Sequence, residues 1–219
     1  MSGERRKFRR EGEAARREAL ISAALDLVAE SGPQAATVRA IADRAGVTPG
    51  LIRHYFANKG ELARAAFRTL MDRLTTISEA AIGEPGMSPE RQLATFVVTS
   101  LRPPSIDPEV LTQWAGFIHM IRSDEALRSV HEATYIAYRD RLERLIADLS
   151  RANDPKRLRA QAIACNAVID GLWLEGSALP ASFAPDELAR LGLTSVGAIL
   201  GIDLFPHAPE DLVRELDPT

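Results

Sequence analysis

The chain has 219 residues, 46% hydrophobic, 26% charged and only 5% aromatic, with a formal net charge of −3. This is the composition of a globular protein with room for one or two domains and a sizeable core. No apolar run approaches membrane-spanning length, and no uninterrupted apolar stretch follows the basic N-terminus, so no signal peptide is read and a cytoplasmic protein is expected.

Residues 1–13 are polar and carry Arg5, Arg6, Lys7, Arg9 and Arg10, which reads as a flexible basic arm. Such an arm serves either nucleic-acid phosphates and the minor groove or only its own solvation. A first helix is expected over 14–31, with Leu20, Ala24, Leu27 and Val28 as its buried stripe, ended by Gly32-Pro33. Thr37 stands at an N-cap position ahead of the periodic residues Val38, Ile41, Ala42 and Ala45. Ala42 is small enough for a second helix to cross above it, and Gly46 suits the left-handed conformation that ends the first. Val47 fills the corner. Thr48 caps the next helix, and Pro49 occupies its first position, where a missing N–H costs nothing. Leu51, Ile52 and Tyr55 offer an inward side, and Thr48, Pro49, Gly50, Arg53 and His54 remain for the outer side and the leading end. Two helices around a glycine turn, the second with a polar outer face, make a helix-turn-helix shaped for the DNA major groove. Taken alone, the segment also suits an ordinary helical hairpin.

Asn58 can cap a fourth helix reaching about Ile82, with Leu62, Ala66, Leu70 and Leu74 at helical spacing. Gly83 to Pro89 is a linker, and a fifth helix is expected over 90–101. Arg102 to Pro108 is a second break. Helices follow over 109–121, 124–152, 155–178 and 186–200, punctuated by Pro180 and Pro185. From Phe205 the chain is Pro-rich and acidic, a C-terminal tail. The expected fold is all-α with about nine helices: a DNA-binding domain over 14–60, an effector-binding and dimerisation bundle over 61–204, and a tail over 205–219.

The charge is uneven: 11 Lys/Arg against 7 Asp/Glu up to Gly60, and 16 against 23 after it. A basic head on an acidic body fits a protein that touches DNA at one end. Cys165 is alone and cannot form an internal disulfide; it is a small core residue or, in the minority reading, a ligand or redox contact. His54, His119, His131 and His207 are scattered, and neither HExxH nor CxxC occurs, so no metal site and no cofactor are expected. No nucleophile–base pair or glycine-rich phosphate loop is found, which argues against an enzyme.

Gly46-Val47-Thr48 running into His54-Tyr55-Phe56-Ala57-Asn58-Lys59-Gly60-Glu61-Leu62 resembles the signature of the TetR family of bacterial transcriptional regulators. The region from Glu18 to Phe67 carries that likeness. Ile169-Asp170-Gly171-Leu172-Trp173-Leu174, with Gln113-Trp114-Ala115-Gly116-Phe117 upstream, is similar to the choline-responsive, BetI-like subgroup of that family. The resemblance implies a repressor released from a palindromic operator by a small-molecule effector; a constitutive DNA binder or an activator is the alternative. It also implies a homodimer through the eighth and ninth helices. There Leu158, Ile163, Ala167, Leu172 and Leu174 join Leu188, Leu191, Leu193, Val196 and Ile199, unless these residues simply fill the monomer core.

Roles in the head follow from position. Thr37, Thr48, Tyr55 and Lys59 suit phosphates, which fix register, and Arg39, Gly50, Arg53 and His54 suit the groove. Tyr55 serves either DNA or the core. Arg53 can pair with guanine O6 and N7. In the body, Trp114, Phe117, Met120, Tyr135, Tyr138 and Trp173 are candidate effector contacts, with Asp170 and Glu175 as charges. Aromatic faces beside a carboxylate can hold a quaternary ammonium or another organic cation by cation–π attraction. Each of these residues is equally readable as core packing.

Overall fold

In the computed structural model, residues 2–83, 86–149 and 154–214 are described, with side chains from Gly12 to Leu212. Ten α-helices and two 3-10 turns make up the described elements. The order is α1 (Ser2–Ser31), α2 (Val38–Arg44), α3 (Pro49–Tyr55), α4 (Lys59–Ala81), α5 (Pro89–Ser100), α6 (Pro108–Ile121), α7 (Glu125–Asp148), α8 (Pro155–Ala178), α9 (Glu187–Leu200) and α10 (Glu210–Arg214). The all-helical expectation therefore holds.

Two expected boundaries differ. The backbone of the expected arm is helical from Ser2 onward. Its run of Arg, Glu, Lys and Ala contains strong helix formers and no proline, so nothing stops α1 from continuing. The side chains of Arg5, Arg6, Lys7, Arg9 and Arg10 lie outside the described residues, as do Glu84 and Pro85 of the expected linker and residues 150–153 at the expected end of α7. The described part of the expected tail also packs into the core. Leu204, Ala208 and Leu212 recur at helical spacing and are 1%, 4% and 0% exposed, through a 3-10 turn at Phe205–His207 and into α10.

The chain divides into two compact units, 1–70 with 112–131, and 71–111 with 132–219. The first contains more than the expected head, because most of α6 and the start of α7 pack with the N-terminal helices. Gln113 donates its amide N–H to the Leu25 carbonyl at 3.4 Å. A Cβ on Gly116 would fall 2.9 Å from Val28 Cγ1, so only glycine lets α6 pass this close to α1. Phe67 of α4 packs on Phe117 with ring centroids 5.2 Å apart. Leu20, Ile21, Ala24, Leu25 and Val28 form the buried side of α1, while Leu27 is only half-buried.

In the second unit, α5, α7, α8 and α9 share one core with the C-terminal segment. It includes Phe96, Val97, Leu142, Leu145, Ala162, Cys165, Ile169, Leu193, Val196 and Leu212. Gly192 lets α9 approach α5; a Cβ there would collide with Leu101 and crowd Val97. Arg102, just past α5, clasps this unit shut. Its Nε and Nη2 donate to the Asp186 carboxylate at 2.5 and 2.7 Å, and its Nη1 donates to Asp211 at 2.7 Å. Asp186 sits at φ +60, a conformation a non-glycine residue holds only when its surroundings fix it.

Candidate functional site

The helix-turn-helix is built by local signals that the side chains carry out. Thr37 Oγ1 accepts the Ala40 N–H at 3.1 Å, capping α2. Gly46 lies at φ +65, and the Val47 N–H returns to the Ala42 carbonyl at 2.9 Å, closing the turn. Thr48 holds the N-cap position of α3 in extended conformation, but its hydroxyl accepts no bond from the helix. Asn58 Oδ1 accepts the Glu61 N–H at 2.9 Å while the Glu61 carboxylate accepts the Ala57 N–H at 2.7 Å, a reciprocal cap that starts α4.

These caps sort the segment into two faces. Ile41, Ala42, Ile52 and Phe56 are buried, at 1%, 0%, 2% and 1% exposure. Thr37, Arg39, Thr48, Pro49, Gly50, Arg53, His54 and Lys59 are all exposed, and Tyr55 is half-buried with its ring edge-on to His54 at 5.2 Å. Leu51, expected inward, is also only half-buried. Two nearby cations are already engaged. Arg44 pairs with Glu30 through both guanidinium ends, and Arg17 lies 4.9 Å above the Phe56 ring. The Arg44 pairing holds the Glu30 carboxyl below its ordinary range.

The candidate effector residues fall into two groups. Trp114, Phe117 and Met120 belong to the first unit and Tyr135, Tyr138, Asp170 and Trp173 to the second. Phe117 is 2% exposed, whereas Trp114 and Met120 are half-buried. In the second unit the Tyr135 hydroxyl donates to Asp170 Oδ2 at 2.8 Å. Asn166 Nδ2 donates to the same oxygen at 2.8 Å and to the Tyr135 hydroxyl at 2.7 Å. Burial raises the Asp170 carboxyl above its ordinary value, against the lowering effect of these two donors. Burial and the neighbouring carboxylate push the Tyr135 phenol up to about 12. Tyr138 lies one turn along α7 with its hydroxyl 2.8 Å from Ser100 Oγ and its ring 5.1 Å from that of Phe96. Trp173 donates its indole N–H to the Ser105 carbonyl at 2.8 Å. Glu175 is exposed.

Asn166 is the residue sequence reading missed. It precedes Asp170 by four positions on α8, so both fall on one helix face, but nothing in the sequence placed Tyr135 opposite them. Cys165 is fully buried, and burial pushes its thiol up to about 12, so it stays protonated and unreactive at neutral pH. Among the described residues no cluster of His, Cys, Asp or Glu could hold a metal ion, and no helix is long and apolar enough to cross a membrane.

Exposed polar and basic residues on a capped helix pair, backed by an apolar side, define the class: a helix-turn-helix DNA-binding protein. Residues 20–66 match the family described as bacterial regulatory proteins, tetR family, and residues 89–201 match the C-terminal domain of BetI-type transcriptional repressors. The chain is similar to the HTH-type transcriptional regulator BetI of Rhizobium meliloti (strain 1021), 31% identical over 165 residues, 75% of this chain and 79% of that one. A crystal structure from Pseudomonas aeruginosa PAO1 superposes with a TM-score of 0.77 at 30% identity, over 86% of this chain and 92% of that one. A transcriptional regulator from Rhodococcus sp. Rha1 superposes with a TM-score of 0.70 at 29% identity, over 84% and 96%. The chain belongs to the TetR family, with a BetI-type C-terminal domain. It is a DNA-binding transcriptional regulator and not an enzyme.

Proposed function

We propose that this protein is a repressor whose homodimer holds a palindromic operator until an effector, an organic cation, releases it. The observation that carries the reading is the two-faced sorting of residues 37–59. α3 enters the major groove with Arg53 and His54, while Arg39 reaches the groove from α2. Pro49 and Gly50 at the leading end of α3 bring backbone close to DNA. Thr37, Thr48, Tyr55 and Lys59 grip phosphates on either side. The uncommitted Thr48 hydroxyl supports this role. Residues 14–60 act as the reading domain, 61–204 as the effector and dimerisation body, and the protein works in the cytoplasm, where its operator lies.

Dimerisation runs through α8 and α9. The expected apolar set divides in three: Leu188, Leu193 and Val196 are buried in the monomer, Leu158, Leu172 and Ile199 are half-buried against its core, and Ile163, Ala167, Leu174 and Leu191 are exposed. On α8, Ala160, Ile163, Ala167, Gly171, Leu174 and Ala178 make one exposed stripe, and a Cβ on Gly171 would meet open space. A stripe of small and aliphatic residues suits close packing against its own copy, and an interface of ~2,000 Å² or more is typical of obligate dimers. In the second unit, Tyr135, Tyr138 and Trp173 provide aromatic surface, and Asp170 the charge, for an organic cation. Effector and operator then oppose each other through a coupling of about 1–3 kcal/mol.

Gel shift on the protein's own upstream intergenic DNA tests the reading, with a scrambled duplex as control. Specific, salt-sensitive binding supports it. Equal affinity for both duplexes, followed by failure to enrich any palindrome from random DNA, overturns it.

A further inference from the structure

The polar atoms of the α7–α8 cluster are unequally satisfied, and the imbalance says what kind of cation fits. This rests on the reading above that Asp170 faces a cationic effector. Asn166 is 2% exposed. Its amide nitrogen donates to Tyr135 and to Asp170, at 2.7 and 2.8 Å, so both amide hydrogens are committed. Its oxygen Oδ1 is buried and has no hydrogen-bond partner. Turning the amide over would set that oxygen against the Asp170 carboxylate, so an ionised Asp170 fixes the orientation. The Tyr135 hydroxyl has one proton, and it goes to Asp170 as well. The amide and phenol donors of the cluster are thus spent within it, and what remains is the buried acceptor Asn166 Oδ1 and one negative charge.

The described residues supply that charge with no counter-ion. Among the described residues no Lys, Arg or His pairs with Asp170, whose only favourable partners are the neutral Tyr135 and Asn166. Arg139, one turn beyond Tyr135 on α7, acts on the Tyr135 phenol but forms no ion pair with the carboxylate. A partly buried carboxylate without a cation and a buried amide oxygen without a donor are both costly. One ligand group removes both costs only if it carries positive charge and N–H bonds together.

We propose that the Tyr135–Asn166–Asp170 cluster receives a protonated primary or secondary amine in preference to a quaternary ammonium. The ammonium donates one N–H to Asn166 Oδ1 and another to the Asp170 carboxylate, while the Tyr138 ring, next along α7, lies beside its carbon substituents. A quaternary ammonium offsets the charge of Asp170 but has no hydrogen for Asn166 Oδ1, which stays orphaned. Sites built to bond a donor reject analogues lacking it far more strongly than apolar pockets reject an added methyl.

Ethanolamine, N-methylethanolamine, N,N-dimethylethanolamine and choline share one skeleton and lose one N–H at each step. Their binding to the full-length protein is measured by calorimetry. The expected result is a decline of about tenfold or more from ethanolamine to choline. Asn166→Ala is expected to flatten that decline, and Asp170→Asn to weaken all four members together. Operator binding by each variant, and its circular dichroism, show that the fold and head are intact; if Asn166→Ala does not fold, the wild-type series and Asp170→Asn still decide. Choline binding as tightly as ethanolamine overturns the N–H preference but leaves a cationic effector standing. Absence of binding by all four at millimolar concentration, in protein that still shifts its operator, overturns the cluster as an amine site without touching the DNA-binding reading.

Discussion

Arg53 and Lys59 are both exposed cations within one short segment, yet their chemistry assigns them different work. In the proposed reading the planar guanidinium of Arg53 suits a guanine edge through two parallel N–H groups, whereas the compact ammonium of Lys59 suits a phosphate as a point charge. Arg53→Ala is expected to cost about 1–3 kcal/mol on the preferred operator and to relax preference at one base per half-site. Lys59→Ala should weaken every sequence alike and reduce the salt slope by about 1. Titrations over a set of single-base operator variants separate the two patterns; an unchanged base profile for Arg53→Ala would refute its role. Asp170 gives a prediction of opposite sign to most buried polar residues. Its carboxyl is raised in the folded state, so between the ordinary carboxylate range and the raised value the folded protein binds more protons than the unfolded one. Stability from this residue is therefore present at low pH and lost as pH rises through that window. Asp170→Asn, which keeps an acceptor for Tyr135 and Asn166, should raise the Tm at pH 7 and have little effect below the carboxylate range. A lower Tm at pH 7 would mean that a cation in the dimer already neutralises Asp170.

Elements in this chain begin where a side chain can accept backbone N–H groups. Thr37, Asn58, Ser88 and Asp154 each cap a helix by a hydrogen bond to a backbone N–H, and all four stand in the sequence as Ser, Thr, Asn or Asp ahead of a periodic run. α3, whose Thr48 hydroxyl accepts no cap bond, is one exception, and α9 is another. Asp186 occupies its N-cap position at φ +60 and makes no cap bond, because its carboxylate is committed to Arg102. The strain at Asp186 and the anchoring of α10 thus depend on one guanidinium. Arg102→Ala should destabilise the protein by about 2 kcal/mol, given the cost of losing charge-assisted bonds at a partly buried site. Urea unfolding measures this. Binding by Asp211 also holds its carboxyl below the ordinary range, so this contribution is lost as pH falls through that lowered value. A wild-type midpoint in the Arg102→Ala variant would show that packing of Leu204, Ala208 and Leu212 alone holds the segment.

For the whole molecule, the proposed palindromic operator requires two heads, the second from another chain. If the proposed interface lies on the exposed stripe of α8, substitutions there reveal it. Ile163→Glu with Leu174→Glu is expected to weaken the dimer by about 2 kcal/mol or more, about thirtyfold, because two charges would be buried against their own copies. Sedimentation equilibrium reads the mass, and the monomeric variant should lose specific operator binding while keeping its helical circular dichroism. A dimer of unchanged strength would place the interface elsewhere. Leu193→Glu should behave differently: Leu193 is fully buried in the monomer, so its replacement should unfold the body rather than separate the copies.

The sequence by itself determined the all-helical class, the helix-turn-helix and its two faces, because those depend on caps, a left-handed glycine and periodicity within about ten residues. Thr37, Gly46, Pro49 and Asn58 act on their immediate neighbours, so local chemistry was enough to place them. It did not decide which leucines of α8 and α9 belong to the core, since Leu191 and Leu193 differ only in the direction each faces once α9 lies on α5. The tail misled for a similar reason: Pro206 and Pro209 read as loop, and the spacing of Leu204, Ala208 and Leu212 gains meaning only when a core is there to receive it. Asn166 passed unnoticed because its committed nitrogen and orphaned oxygen arise from Tyr135, 31 residues away on another helix. Tertiary structure alone makes that juxtaposition, because burial and hydrogen-bond satisfaction are properties of surroundings that distant segments supply.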